Sequence, residues 1–215
     1  MKLKWYGHAC FWMQEAEHSI LTDPFDQSVR YPFPRVQADI VLESHQHHDH
    51  NAHDRLEAKP AHVFSHPIPP SHPFEENGLR ICTFPSFHDE EGGKKRGENL
   101  LFQVRFPSGI QLLHCGDLGH ALEANLRTQI GKIDILLVPV GGTYTLDGKT
   151  AAKLTRDIAP SIVCPMHYKT SYLDFPIADT RSFLQHLGWK TRTVHELDIS
   201  AAELPQEPTC ILFSM

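Results

Sequence analysis

The first half of the chain alternates short apolar runs with polar turns. LKWYGHACFWMQ and HSILTDPF read as strands, the second ending at Pro24. ADIVLES (38–44) is a short apolar strand that delivers the chain into HQHHDH. AHVFSHP (61–67) and LRICTFPSFH (79–88) read as further strands, divided by the proline-rich turn IPPSHPF. Runs of this length, rich in β-branched and aromatic residues and bounded by Pro, Gly and Asp, suit a pleated, half-buried surface. DEEGGKKRGEN (89–99) is charged and glycine-rich, has no means of burying itself, and reads as a surface loop. LLFQVRF and IQLLHCGD, joined by Pro-Ser-Gly, read as a hairpin.

The second half alternates helix and strand. GHALEANLRTQIG (119–131) has helical spacing and a closing glycine, and IDILLVPVGG is a strand. Asp147 is placed to cap GKTAAKLTRDIA, which must stop before Pro160. SIVCPMH is another strand, FPIADTRSFLQHLG (175–188) a helix ended by Gly188, and RTVHEL a last strand. No linker, repeat or low-complexity tract interrupts the pattern. Two halves, each β-rich and then helical, predict one layered α/β (α+β) domain over 1–215 with sheets inside and helices outside.

Charge and composition narrow the partners. A formal charge of −6 in 215 residues disfavours a general nucleic-acid binder, which needs a basic face, and disfavours a polybasic membrane surface. No apolar run reaches the roughly 20 residues that span a bilayer, and MKLKWYGHACFW lacks the apolar core and cleavage site of a signal peptide. The five cysteines are scattered, odd in number and mostly within apolar runs, the pattern of reduced, buried thiols in a cytoplasmic protein. The 16 histidines are the unusual count, and suggest metal or proton chemistry.

HQHHDH sets four histidines and an aspartate in six positions straight after a strand. Imidazole nitrogen and carboxylate oxygen suit borderline divalent metals such as zinc. His45 and His47, two apart, can reach one metal, while Asp49 and His50, further round the turn, point to a neighbouring position. Partners elsewhere must complete the coordination. Other apolar runs supply them: ICTFPSF runs into His88, IQLLHCG into Asp117 and SIVCPM into His167. In open α/β sheets, sites are built from separate loops beyond the strand ends.

His45-Gln46-His47-His48-Asp49-His50, followed by a lone histidine, an aspartate in GD and a late histidine in PMHY, resembles the metallo-β-lactamase superfamily. GHACF, HDEEGGKKRGEN, GGTYTLD and PMHYKT resemble more narrowly a prokaryotic metal-dependent hydrolase branch with ascorbate-phosphate lactonase-like members. The resemblance covers nearly the whole chain. It implies a four-layer αββα sandwich, one metal held by His45, His47 and His88, a second held by Asp49, His50 and His167, and Asp117 bridging both. His48 receives no ligand role. The expected cofactors are two divalent ions, zinc by default, with manganese or iron also compatible.

Such a site uses a metal-bridging hydroxide to cleave a small ester, lactone or phosphodiester, with Asp49 orienting the nucleophile and Asp117 passing a proton to the leaving group. The alternatives are an iron-dependent oxidoreductase on the same fold and a non-catalytic metal-binding protein. Candidate substrate contacts are weaker. His8, in GHACF, either faces substrate, backs a ligand or is a buried structural histidine. Arg96 and Asn99 come late in the loop after His88 and are candidates for an anionic group. Thr143, Tyr144 and Lys169 lie just past strand ends on the same side, and Lys169 is either a phosphate or carboxylate contact or an exposed lysine. The partner expected is a small molecule, and the sequence does not fix the oligomeric state.

Overall fold

The structure, a computed structural model, describes residues 1–215. Strands β1 (Lys2–Gly7), β2 (Cys10–Glu15) and β3 (His18–Thr22) run antiparallel, and β4 (Ile40–Leu42) and β5 (His62–Phe64) continue beside β3 in parallel. A second antiparallel run comprises β6 (Phe74–Glu76), β7 (Leu79–Phe87), β8 (Glu98–Arg105) and β9 (Gln111–His114). The remainder is α1 (Ala124–Ile130), β10 (Ile135–Pro139), α2 (Gly148–Ile158), β11 (Ile162–Met166), α3 (Arg181–Leu187), β12 (Lys190–Val194), β13 (Leu197–Asp198) and β14 (Thr209–Phe213). One sheet has the order β13-β1-β2-β3-β4-β5, the other β12-β14-β11-β10-β9-β8-β7-β6.

The two mixed sheets share one core of 55 buried residues. Every residue of β3, β4, β10 and β11 is buried, as expected where strands are covered on both faces. Contacts between the sheets are direct: Phe11 on β2 meets Phe213 on β14 edge to face at 5.8 Å. Helix α2 packs on β10, and α3 packs on α2. Asp147 caps α2 as the sequence predicts, its Oδ1 accepting from the Thr150 amide at 2.7 Å, a bond worth about 1 kcal/mol. All five cysteines are buried and unpaired. No helix is long and apolar enough to cross a membrane.

Two helices are shorter than their spacing suggests. Helix α1 begins at Ala124 rather than 119, because the Gly119 amide donates to the Phe87 carbonyl at 2.9 Å and ties that stretch to the end of β7. Helix α3 begins at Arg181, because the Ala178 amide donates to Gly141 and the Ala178 carbonyl accepts from Lys169. In both places tertiary hydrogen bonds outweigh helix propensity. Strand β14 is a further element, inserted between β11 and β12.

Candidate metal centre

The ligand-type residues occupy strand ends on one edge of the sandwich. β1 leads into His8, β4 into the segment His45–His50, β7 into His88, β9 toward Asp117 and β11 into His167. His8, Asp23 and His167 have φ of 54°, 40° and 50°, three of the seven non-glycine residues with positive φ in the chain. A left-handed residue without glycine costs on the order of 1–3 kcal/mol, and such residues cluster where function requires a sharp turn. Each directly follows its strand, β1, β3 or β11, and its side chain joins the cluster. The His167 amide also donates to the His8 carbonyl at 3.0 Å, joining the ends of β1 and β11.

Asp117 is the centre of the cluster. Its Oδ2 lies 3.1 Å from His88 Nε2, 3.1 Å from His167 Nε2 and 3.4 Å from His50 Nε2. Three sets of donor atoms gather within 4.8 Å: His45, His47 and His88; His45, His50 and Asp117; His8, His50 and His167. Asp49 belongs to none of these sets. Its Oδ2 is turned to His8 Nε2 at 3.2 Å, and lies 3.7 Å from His50 Nε2. The third set therefore contains His8 where the resemblance implies Asp49.

A second ring of bonds orients the imidazoles. His88 Nδ1 donates to the Tyr144 carbonyl at 3.0 Å, and His50 Nδ1 donates to Asp23 Oδ2 at 2.9 Å. Ser44 Oγ donates to the same Asp23 oxygen at 2.8 Å and accepts from His45 Nδ1 at 2.9 Å. Asp23 Oδ1 accepts from the Ser44 amide at 2.7 Å. With Nδ1 engaged in this way, each ring turns its Nε2 toward the centre. Asp23, Ser44 and the Tyr144 carbonyl carry no signal in the sequence that singles them out. Asp23 obeys the strand-end rule that locates the others, but Asp23-Pro24 reads as a turn.

Electrostatics agree with that geometry. Burial, reinforced by neighbouring imidazoles, holds His45 down to about 3 and His8 down to about 4, so both are neutral near pH 7. Burial also lowers His50 and His88, but Asp117 outweighs it and raises both. Asp117 itself, raised by burial, is held well below the carboxylate range chiefly by His167 and His50. His8 Nδ1, His45 Nε2, His50 Nε2, His167 Nδ1 and Asp117 Oδ1 are buried without a hydrogen-bond partner. An unsatisfied buried polar atom costs about 1–3 kcal/mol, and a cation among nitrogen and oxygen donors removes that cost. The donor set fits divalent metal.

The cluster opens into a cleft of about 530 Å³ bordered by His47, Asp49, His88, Asp117 and His167, with Arg96, Tyr144 and Phe175 beside them. Exposed His48 also lines it. Of the predicted substrate contacts, Arg96 and Tyr144 reach this cleft. His8 is fully buried behind Asp49. Asn99 is fully buried too, its Nδ2 donating to Ser86 Oγ and the Cys115 carbonyl and its Oδ1 accepting from the Asp117 amide, so it braces the Asp117 turn. Thr143 spends its hydroxyl on the Pro176 carbonyl, and Lys169 its Nζ on the Phe175 carbonyl. Burial or local bonds thus keep these four off the cleft wall.

A two-sheet α/β sandwich with histidines and an aspartate converging from separate strand ends has the architecture of a metallo-hydrolase. Residues 2–167 match the family described as "Beta-lactamase superfamily domain", and the chain belongs to that superfamily. It is 30% identical over 204 residues to a UPF0173 metal-dependent hydrolase of Thermoplasma acidophilum, covering 85% of this chain and 89% of that one. A crystal structure from Thermotoga maritima, provisionally described as a Zn-dependent hydrolase of the metallo-β-lactamase superfamily, superposes with a TM-score of 0.80 at 36% identity, covering 99% of this chain and 97% of that one. Igni18, a metallo hydrolase of Ignicoccus hospitalis, shares the fold at 24% identity, with a TM-score of 0.68 and coverage of 87% and 90%. The protein is a metal-dependent hydrolase of the metallo-β-lactamase superfamily.

Proposed function

We propose that the protein is a dinuclear hydrolase that cleaves a small ester, lactone or phosphodiester with water. The supporting observation is the set of Nε2 atoms around Asp117 Oδ2, with His45 and His47 beside them. In this reading His45, His47 and His88 would hold one ion and His50 and His167 a second with Asp49 or His8, with the Asp117 carboxylate available to either. Zinc is the ion favoured by this donor set, with manganese or iron compatible. Divalent ions so bound supply Lewis acidity and bring the pKa of water toward about 7.

The chain's own groups do the rest. Asp49, bordering the cleft and held on one oxygen by His8, orients the attacking water and accepts its proton. Asp117, buried and kept ionised by the surrounding imidazoles, relays a proton to the leaving oxygen. The water oxygen bonds to the acyl carbon or phosphorus, the ester bond breaks, and the alcohol departs with the proton. Tyr144 and Phe175 flank the substrate and limit access of bulk water.

Metal analysis of the purified protein, followed by lactone, phosphodiester and thioester panels with the metal found, tests the proposal. His47→Ala and Asp117→Ala should each lose metal and at least a hundredfold in hydrolysis, about the scale of one electrostatic catalytic group, while keeping a folded circular dichroism spectrum. Unchanged metal content in both variants would sink the ligand assignment. Redox-active iron with oxygen consumption would replace hydrolysis by oxidation.

A further inference from the structure

We infer that the substrate carries an anionic group, a carboxylate or phosphate, held by Arg96 at the side of the cleft. The inference rests on the hydrolase site proposed above and specifies what that site takes. Arg96 is the one lysine or arginine lining the cleft that holds His47, His88 and Asp117. Arg96 is half-buried, its backbone amide is bound to Asp89, and its guanidinium takes part in none of the chain's ion pairs or side-chain hydrogen bonds. It lies over the Tyr144 ring at 5.4 Å from the centroid. An unpaired guanidinium beside a cluster that would hold cations needs a reason, since like charges repel and Arg96 lies in an acid-rich loop.

Two of that loop's four acids, Asp89 and Glu91, are engaged with partners other than the Arg96 guanidinium. Asp89, next to His88, accepts four backbone N–H bonds, from Glu91, Gly93, Lys95 and Arg96, at 2.8, 3.0, 3.0 and 2.8 Å. Its carboxylate is thereby used on the backbone. Glu91 is paired with Lys95. The His88 amide donates to Gly97 at 3.1 Å and closes the loop at its base. Tyr144, under the guanidinium, gives its carbonyl to His88 Nδ1. Arg96 is therefore fixed through two routes to a residue of the metal cluster. The guanidinium fork is the donor array that matches carboxylate or phosphate in a bidentate pair, and stacking on an aromatic face leaves its edge available.

The test uses the metal-loaded full chain and reads binding independently of turnover. Half-amides of succinate, glutarate and adipate with 4-nitroaniline are titrated calorimetrically against neutral anilides of the same chain lengths. At least one acid should bind about ten- to hundredfold tighter than its neutral counterpart, the range of a charge-assisted hydrogen bond. Arg96→Ala should abolish that advantage, and Arg96→Lys should keep part of it, at unchanged metal content and thermal midpoint. Phenyl phosphate is titrated against phenol as the phosphate arm, and no preference for any acid together with none for the phosphate would overturn the inference. A preference that survives in Arg96→Ala would also overturn it, by placing the carboxylate on the metals instead. Failure of the hydrolase reading shows separately, as absent turnover of the corresponding esters.

Discussion

Asp23 orients two imidazoles through one oxygen, directly to His50 and through Ser44 to His45. Burial raises its pKa, yet the charge and hydrogen bond of His50, then His114 and His45, hold it below the ordinary carboxylate value. Asp23→Asn replaces an acceptor by an amide that cannot accept all three bonds. Metal affinity should fall about ten- to hundredfold, the usual effect of removing an outer partner of a ligand. Competition against a chromophoric chelator measures it, and an unchanged dissociation constant would remove Asp23 from this role. At this scale the sequence shows donor types well and their outer partners poorly. HQHHDH declares itself by density, whereas Asp23 and Asn99 depend on contacts with residues distant in sequence.

At the scale of elements, the hydrophobic pattern locates the strands from which the cluster emerges, because a strand end fixes both position and direction. The same pattern misjudges the loops and helix starts beyond those strands. The 89–97 segment reads as a solvated loop from its charge and glycines, but Asp89 turns it into an internally bonded platform. Four backbone donors overcome the effect of desolvation and bring the Asp89 carboxyl down to about 2, so the brace is intact at neutral pH. Asp89→Ala should raise amide hydrogen exchange of Glu91, Gly93, Lys95 and Arg96 by at least tenfold, read by NMR, while β10 and β11 stay protected. Exchange unchanged at all four amides would show that the loop holds without the brace. Helix starts are misread for a related reason. Gly119 approaches the His88 backbone so closely that an added Cβ would lie 2.4 Å from the His88 carbonyl carbon. That packing keeps the stretch before Ala124 out of the helix although its spacing is helical.

At the scale of the molecule, the sheet order depends on pairings that local pattern does not encode. β13 joins β1 across most of the chain, and β14 enters between β11 and β12. The consequence for the site is that its residues come from both sheets: His8 and His45–His50 from one, His88, Asp117 and His167 from the other. Metal bound there links the two halves of the sandwich and should stabilise the fold. At a free metal concentration of 100 times the dissociation constant, linkage gives about 2.7 kcal/mol. For a chain of this size that is a rise of roughly 5–10 °C in midpoint. The increment should shrink on acidification. His50 and His88 are raised in the folded metal-free chain, so their protonation stabilises that form fully below the ordinary histidine pKa and less as pH rises through their raised values. Protons therefore support the metal-free fold at low pH while displacing metal from the same nitrogens. Thermal melts with and without chelator should differ most at pH 8 and least near pH 5. Asp117→Ala, lacking the oxygen shared by three imidazoles, should show little difference at either pH. A chelator effect of the same size in that variant would mean that the stabilising metal lies elsewhere.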